Sequence, residues 1–356
     1  MRLSQFESRA ELEVRGAARA PTRIVRRGEQ VIQDGGAPVD AVKLNTRTTM
    51  LEIGERRFRG SLEIRARRGA PGLEVTNVLD LEDYVAGVVA REVVLWTCEL
   101  ESLRAQAIAS RSYAVAALDE RGRKRSDPYL VSDVRDQAYE GVFVPRNARE
   151  RELVETLSRA LESTRGIVLL EERRVVDARF HAACGGATAN ARDVFPEAPF
   201  ECLRSVTCPA CSGQLASARE AQASIAWKWT APRDALERVA REWNIGNSLQ
   251  RLRTTRTDAA GRWLEVELSG ERGSARGSFE KLRRSLGADK LPSSRITRTW
   301  PREGETLENG LLFEGRGRGH GVGLCQEAAR DCARAGWSAE RILAHFYPGA
   351  ELADFR

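Results

Sequence analysis

Apolar positions in the first 79 residues alternate over short stretches and are broken by Gly and Arg-rich turns. This pattern predicts strands at Ala41–Leu44, Thr49–Ile53, Ser61–Ile64 and Leu73–Leu79. At Asp80 the period changes from two to nearly four. Asp80 with Asp83 three residues on makes a cap-like start, and Leu81, Val85 and Val88 recur at helical spacing. An Ala/Leu-rich helix is expected over Glu99–Leu118 and an amphipathic one over Glu152–Leu161. Ile167–Leu170 and Val175–Ala183 read as a hairpin closed by Glu171–Arg174. Beyond the small-residue stretch Ser212–Ser224, the pattern gives a helix at Asp234–Trp243, strands at Arg262–Leu268 and Ser274–Phe279, and a helix at Phe279–Leu286. Helices from Gln326 to Ala335 and from Ser338 to Phe346 close the chain. Strands and helices without a βαβ rhythm predict an α+β protein. Three parts are expected: a β-rich region over 1–72, a core over 73–211, and an α+β part over 212–356.

The longest apolar runs, such as Val85–Ala90 and Tyr113–Leu118, stop at six residues, so no membrane span is expected. Of 57 basic residues only five are Lys, and the Arg side chains are scattered among Glu and Asp. A nucleic-acid binder would gather them in one stripe with aromatics between, so nucleic acid is not expected as a partner. Met1–Gln30 carries no apolar segment of the kind a signal peptide needs, which leaves localisation open.

Glu92 is the most informative residue. Leu81, Val85, Val88 and Glu92 share one helical face, and a carboxyl at the end of an apolar stripe is desolvated. Its pKa is therefore expected to rise, as a general acid at neutral pH requires, unless its head group reaches water at a frayed helix end. Arg111 shares a face with Ile108, Val115 and Leu118, so its guanidinium needs a carboxylate partner or a substrate oxygen. Gln106, Ser110 and Tyr113 form a polar stripe on the same helix. Strand alternation sets His181 with Asp177 and Arg179, on a polar or cleft-facing side.

Cys208-Pro-Ala-Cys211, with Cys184, can form a zinc site, a disulfide or a set of buried thiols; a fourth metal partner would come from His181, Cys202 or water. The alternating glycines Gly315 to Gly323, with His320 among them, mark a backbone that something must approach closely. The run fits neither a dinucleotide fingerprint nor a P-loop.

Taken together, six segments resemble the family of stage II sporulation protein D (SpoIID) and the LytB amidase enhancer. Leu81-Glu-Asp-Tyr84 through Glu92 resembles LEDYxxGVVxxEM, and Leu103-Arg-Ala-Gln106 through Tyr113 resembles LKAQAVAARTYA. Asp136-Gln137-Ala-Tyr139-Glu-Gly141 is similar to SQxYxG. Phe180-His181-Ala-Ala-Cys184-Gly185-Gly186 is similar to the FHSxxGG element, and Gly317 through Gln326 to GxGHGVGxSQ. Ile342-Leu343 through Tyr347-Pro348-Gly349 is similar to ILxxYYPG.

The resemblance implies a SpoIID-like fold around a substrate cleft and a peptidoglycan lytic transglycosylase. It would cleave MurNAc–GlcNAc bonds of glycan strands lacking stem peptides, with Glu92 as general acid and base and no cofactor required. Gln106, Arg111, Gln137, Tyr139, His181, His320, Gln326 and Tyr347 would bind substrate, with Arg111, Gln137, His181 and His320 converging near Glu92. The alternative is a non-catalytic glycan-binding protein that stimulates a cell-wall amidase. Either role implies a place outside the cytoplasmic membrane, in the cell wall or periplasm. The sequence departs from the family pattern at Ala90, Val93 and Cys325, where the family has Pro, Met and Ser. Family zinc ligands ahead of the Gln-x-Tyr signature have no counterpart in Ser126–Gln137.

Overall fold

The computed structural model describes residues 1–16, 20–45, 50–124, 130–133, 135–212, 225–287, 289–307 and 310–355; most of the expected 212–224 loop lies outside them. The chain forms two compact units, Met1–Asp177 with Leu352–Arg356, and Ala178–Glu351. Both mix helices with small, mostly antiparallel sheets, so the fold is α+β.

In the first unit, β1 (Glu11–Val14), β2 (Thr22–Arg27), β3 (Gln30–Gln33) and β4 (Pro38–Val39) form one antiparallel sheet. A second sheet holds β5 (Ala41–Asn45), β8 (Ser61–Ala66) and β9 (Leu73–Val78) in the order β5-β8-β9. β6 (Leu51–Ile53) and β7 (Arg56–Phe58) form a hairpin. Their inward residues, among them Leu12, Ile24, Val31, Leu62 and Val75, join Val85 and Val88 of α1 (Leu81–Glu92) in one core. Helix α1 starts where Asp80 caps it, its carboxylate accepting from the Glu82 N–H at 2.8 Å.

Helix α2 (Leu100–Lys124) runs a turn and a half beyond the expected end. Ala105–Ala114 is buried on every side, because α1, α3 and β10 pack around small residues that leave room for them. Helix α3 (Ala148–Ser163) starts a turn earlier than expected, since the Asn147 side chain accepts from the Glu150 N–H at 2.9 Å. β10 (Ile167–Glu171) and β11 (Arg174–Val175) form the expected hairpin, with positive φ at Glu172 and Arg173, the signature of a two-residue hairpin turn. Its second strand is only two residues long. The chain leaves the sheet there and begins again as β12 (Phe180–His181) in the second unit.

The second unit holds α4 (Ala191–Val194), β13 (Ala226–Ala231), α5 (Arg233–Glu242), β14 (Leu249–Thr257), β15 (Trp263–Gly270), β16 (Gly273–Ser278), α6 (Phe279–Leu286), β17 (Ile296–Trp300) and β18 (Leu311–Arg316). β19 (Leu324–Cys325), α7 (Gln326–Arg334) and α8 (Ala339–Phe346) follow; β20 (Glu351–Asp354), which from Leu352 on is part of the first unit, joins β10 there. Two antiparallel sheets, β13-β18-β17 and β14-β15-β16, enclose Val239, Trp243, Val266, Phe279 and Phe313. β12 pairs with β19 in parallel, which sets His181 opposite Cys325. No helix among the described residues is long and apolar enough to cross a membrane.

Candidate functional site

Glu92 ends α1, as its spacing predicts, with Val85 and Val88 wholly buried on the same face. It is partly exposed, and its Oε1 accepts from the Ala138 N–H at 2.6 Å. That amide lies between Gln137 and Tyr139, so the Gln-x-Tyr segment orients the carboxylate. Gln137 is buried. Its Oε1 accepts from the Tyr84 hydroxyl at 2.7 Å, and its Nε2 points to Ser110 O at 3.4 Å. The Tyr139 hydroxyl donates to Asn77 Oδ1 at 2.7 Å, and its ring stacks on Tyr84 with centroids 5.7 Å apart. Burial, with Tyr113, Asp136 and Glu92 adding to it, holds the Tyr84 phenol far above its usual range, so it stays a donor.

This stack explains the glycine of the α1 motif. A Cβ at Gly87 would stand 2.5 Å from the Tyr139 ring and 2.8 Å from Gly141 O. Asp136, whose side chain is 2% exposed, is a hub that sequence reasoning did not single out. It accepts from the Tyr113 hydroxyl at 2.9 Å, Arg121 at 2.6 Å and the Val131 N–H at 2.7 Å, and so fixes the start of the Gln-x-Tyr segment.

Arg111 is fully buried and has found a carboxylate of its own chain. Its Nε and Nη2 reach the two oxygens of Glu82 at 2.8 and 2.7 Å, and Nη1 donates to Ile167 O at 3.0 Å. Glu82 also accepts from the Gly166 N–H at 3.3 Å. This arrangement ties α1 and α2 to the start of β10. Gln106, also buried, donates to Ser110 Oγ at 3.1 Å. Gln106, Arg111, Gln137 and Tyr139 thus act on the frame that holds Glu92.

Beside this frame runs a groove of about 850 Å³ lined by Phe6, Arg57, Arg91, Glu140, Phe143 and Arg146, among others. Ala90 and Arg91 on the helix and Glu140 to Val144 after Ala138 bring it to the residues flanking Glu92, which itself is not part of the lining. Four residues after Glu92, Trp96 is 65% exposed. The only sequence signal for it is an unpatterned Val-Val-Leu-Trp run, which the helical spacing does not reach.

The remaining expected residues belong to the second unit. His181 is buried rather than on a polar face, because the strand breaks after Val175 and the alternation does not carry across. Its Nδ1 lies 3.1 Å from Val322 O; a carbonyl only accepts, so Nδ1 carries the proton. The His181 and His320 rings meet edge to face at 5.7 Å, and Phe195 meets His320 at 5.4 Å. Burial, with the neighbouring His181 adding to it, holds His320 well below the usual imidazole range. Gln326 begins α7. Tyr347 is fully buried, its hydroxyl donating to Arg179 O at 2.7 Å and accepting from the Leu324 N–H at 3.2 Å.

What approaches the glycine run is the protein itself. A Cβ at Gly319 would stand 3.0 Å from His181 Cβ, one at Gly321 2.7 Å from the Arg262 guanidinium carbon, and one at Gly323 2.0 Å from Arg179 O. The thiols of Cys184, Cys208, Cys211 and Cys325 converge there, all within 4.8 Å of one another. Cys325 was legible only as an exchange for the family's Ser; Cys202 is not part of the cluster.

The Arg111–Glu82 pair makes a stability prediction. Arg111→Met leaves the Glu82 carboxylate without its partner and should cost about 3–5 kcal/mol by urea denaturation. Adding Glu82→Leu should recover most of that loss. A single variant as stable as wild type would show that the pair does not hold the helices.

The stage II sporulation protein (SpoIID) family model matches residues 70–170, a stretch that contains the whole Glu92 frame. An uncharacterized protein of Brachyspira hyodysenteriae is 27% identical over 284 residues, covering 79% of this chain and 68% of its own. Stage II sporulation protein D of Bacillus amyloliquefaciens is 25% identical over 78% of this chain and 75% of its own. Stage II sporulation protein D of Bacillus subtilis is 25% identical over 90% and 88%. These alignments are longer than either unit, so the likeness is not confined to the matched stretch. The Glu92 frame, built from the segments that carry the resemblance, lies within the stretch that matches the SpoIID family model, and over most of its length the chain is similar to stage II sporulation protein D.

Proposed function

We propose that this protein is a peptidoglycan lytic transglycosylase acting outside the cytoplasmic membrane on glycan strands that have lost their stem peptides. The observation that carries the reading is the Glu92 carboxylate, partly exposed at the end of α1 and oriented by the Ala138 amide at 2.6 Å. Protonated Glu92 gives its proton to the oxygen between MurNAc and GlcNAc, and the bond to the muramic C1 breaks with oxocarbenium character. The carboxylate then takes the proton of the muramic C6 hydroxyl as that oxygen closes on C1. A 1,6-anhydro ring forms, Glu92 is protonated again and no water is consumed. Ordinary glycosidases need a second carboxylate as nucleophile or as base for water. An internal hydroxyl removes that need, and one oriented Glu suffices.

The groove supports the choice of substrate. Removing a stem peptide bares the lactyl carboxylate of each muramic residue, so a stripped strand is a regular polyanion. Five arginines against three glutamates line the groove, with Phe6 and Phe143 as apolar faces for sugar rings. Trp96 offers a further aromatic face beyond the helix end.

Purified protein incubated with amidase-treated glycan should release fragments ending in 1,6-anhydro-muramic acid, identified by mass, and far fewer from peptide-bearing glycan. Ordinary reducing ends would mean hydrolysis and a second carboxylate. Binding without cleavage would favour the amidase-stimulating reading. Trp96→Ala should raise KM roughly tenfold with kcat little changed, the mark of lost uniform binding, and leave the melting temperature alone. An unchanged KM would remove Trp96 from the substrate path.

A further inference from the structure

Cys184, Cys208, Cys211 and Cys325 come from three separate stretches of the second unit, and all four are at most 1% exposed. Four buried thiols packed together have poor hydrogen-bonding prospects of their own, since a thiol is a weak donor and a weak acceptor. Their geometry fits a different state. A tetrahedral ion with metal–sulfur bonds of about 2.3 Å sets its sulfurs about 3.8 Å apart. Cys211 Sγ and Cys325 Sγ are 3.7 Å apart, and no pair of the four extends beyond 4.8 Å. None of the seven cysteines is in a disulfide.

The surroundings are those of thiolates. Backbone N–H groups point at two of the sulfurs: Cys184 N–H at Cys325 Sγ and Gly186 N–H at Cys184 Sγ, both at 3.4 Å. The Arg262 side chain is fully buried against the same loop, with Nη2 donating to Cys184 O and, at 2.9 Å, to Ala187 O. Among the described residues its Nε and Nη1 have no hydrogen-bond partner. The Asp258 carboxylate, 3.9 Å from Nε, supplies part of the negative charge that this buried guanidinium needs, and four neutral thiols would add none. Four thiolates around a divalent cation carry a net charge of minus two, and Arg262 offsets part of it.

We propose that Cys184, Cys208, Cys211 and Cys325 hold one structural zinc ion in a closed tetrathiolate site. Binding displaces the four thiol protons as the four sulfur–zinc bonds form, and no redox step is involved. Cys208-Pro-Ala-Cys211 supplies the two-residue knuckle, Cys184 ends the segment after His181, and Cys325 follows the glycine run. The ion would pin the glycine run to the His181 segment, 141 residues away in sequence at Cys184 and Cys325. A closed set of four sulfurs leaves no open position for substrate, so the role is in folding and stands apart from glycan cleavage.

Metal analysis of protein purified without chelator should find about one zinc per chain. Titration with an organomercurial should release it in step with loss of four thiols. Replacing the ion with cobalt(II) should give the visible bands of a tetrahedral thiolate site. Chelation should lower the melting temperature by about 10 °C or more. Cys325→Ser should lose most of the zinc and Cys98→Ser none. If Cys325→Ser does not fold, the organomercurial titration of wild type decides the matter. Metal-free protein with unchanged melting in chelator would overturn the proposal. So would a mass two hydrogens lighter per cysteine pair, which means disulfides, or stoichiometric iron in place of zinc.

Discussion

Arg111 is wholly out of water, and its charge is tolerable there only because Glu82 meets it with both oxygens and Ile167 O takes a third donor. An ion pair of this kind is a poor source of stability, since desolvating both charges offsets most of their attraction. What it provides is register. Glu82 stands in the first turn of α1, Arg111 in the middle of α2, and Gly166 and Ile167 at the entry to β10, so one contact fixes three elements. With α1 set, Tyr84 reaches Gln137, Val85 and Val88 reach the core, and Glu92 falls where Ala138 N–H can hold it. Much of the motif that looks like a substrate-binding surface is the internal bracing of one carboxylate.

The second unit solves a different problem by similar means. Its glycine run lets the His181 segment, Arg262 and the Arg179 carbonyl come closer than any side chain would permit. Close approach brings buried polar groups together, and each needs a partner. Tyr347 satisfies Arg179 O and the Leu324 N–H, and Val322 O accepts a hydrogen bond from His181 Nδ1. Arg262 Nε and Nη1, Asp258 Oδ2 and His181 Nε2 stay buried without a hydrogen-bond partner among the described residues, in the unit that also holds the four clustered cysteines.

The fold was legible where local signals agree. Asp80 at a helix start, Ser338 before the last helix and Gly336 after α7 marked boundaries that hold to within a residue or two. The sheet of the first forty residues went unassigned, because strands such as β1 place only two apolar residues among charged ones. The length of α2 was missed for a related reason: beyond Leu118 the helix continues through Asp119, Glu120 and Gly122, exposed residues that carry no apolar period. His181 was misplaced because alternation presumes a continuous strand, and the chain changes sheets between Val175 and Phe180. For the site, spacing identified Glu92 and the carboxylate debt of Arg111, but not which carboxylate would meet it. No local pattern could bring Cys325 to Cys184, since that contact is made by the fold across the whole second unit.

On the proposed reading, the frame around α1 presents one transferable proton, that of Glu92. The most direct test compares wild type with Glu92→Gln on the same stem-peptide-free glycan, following anhydro-muramic ends over time. Glutamine keeps the volume and still accepts from Ala138 N–H, so fold and glycan binding should persist. The rate should fall by about 10²–10⁴-fold, the usual contribution of general acid–base catalysis. A Glu92→Gln protein that cleaves as fast as wild type would contradict the account.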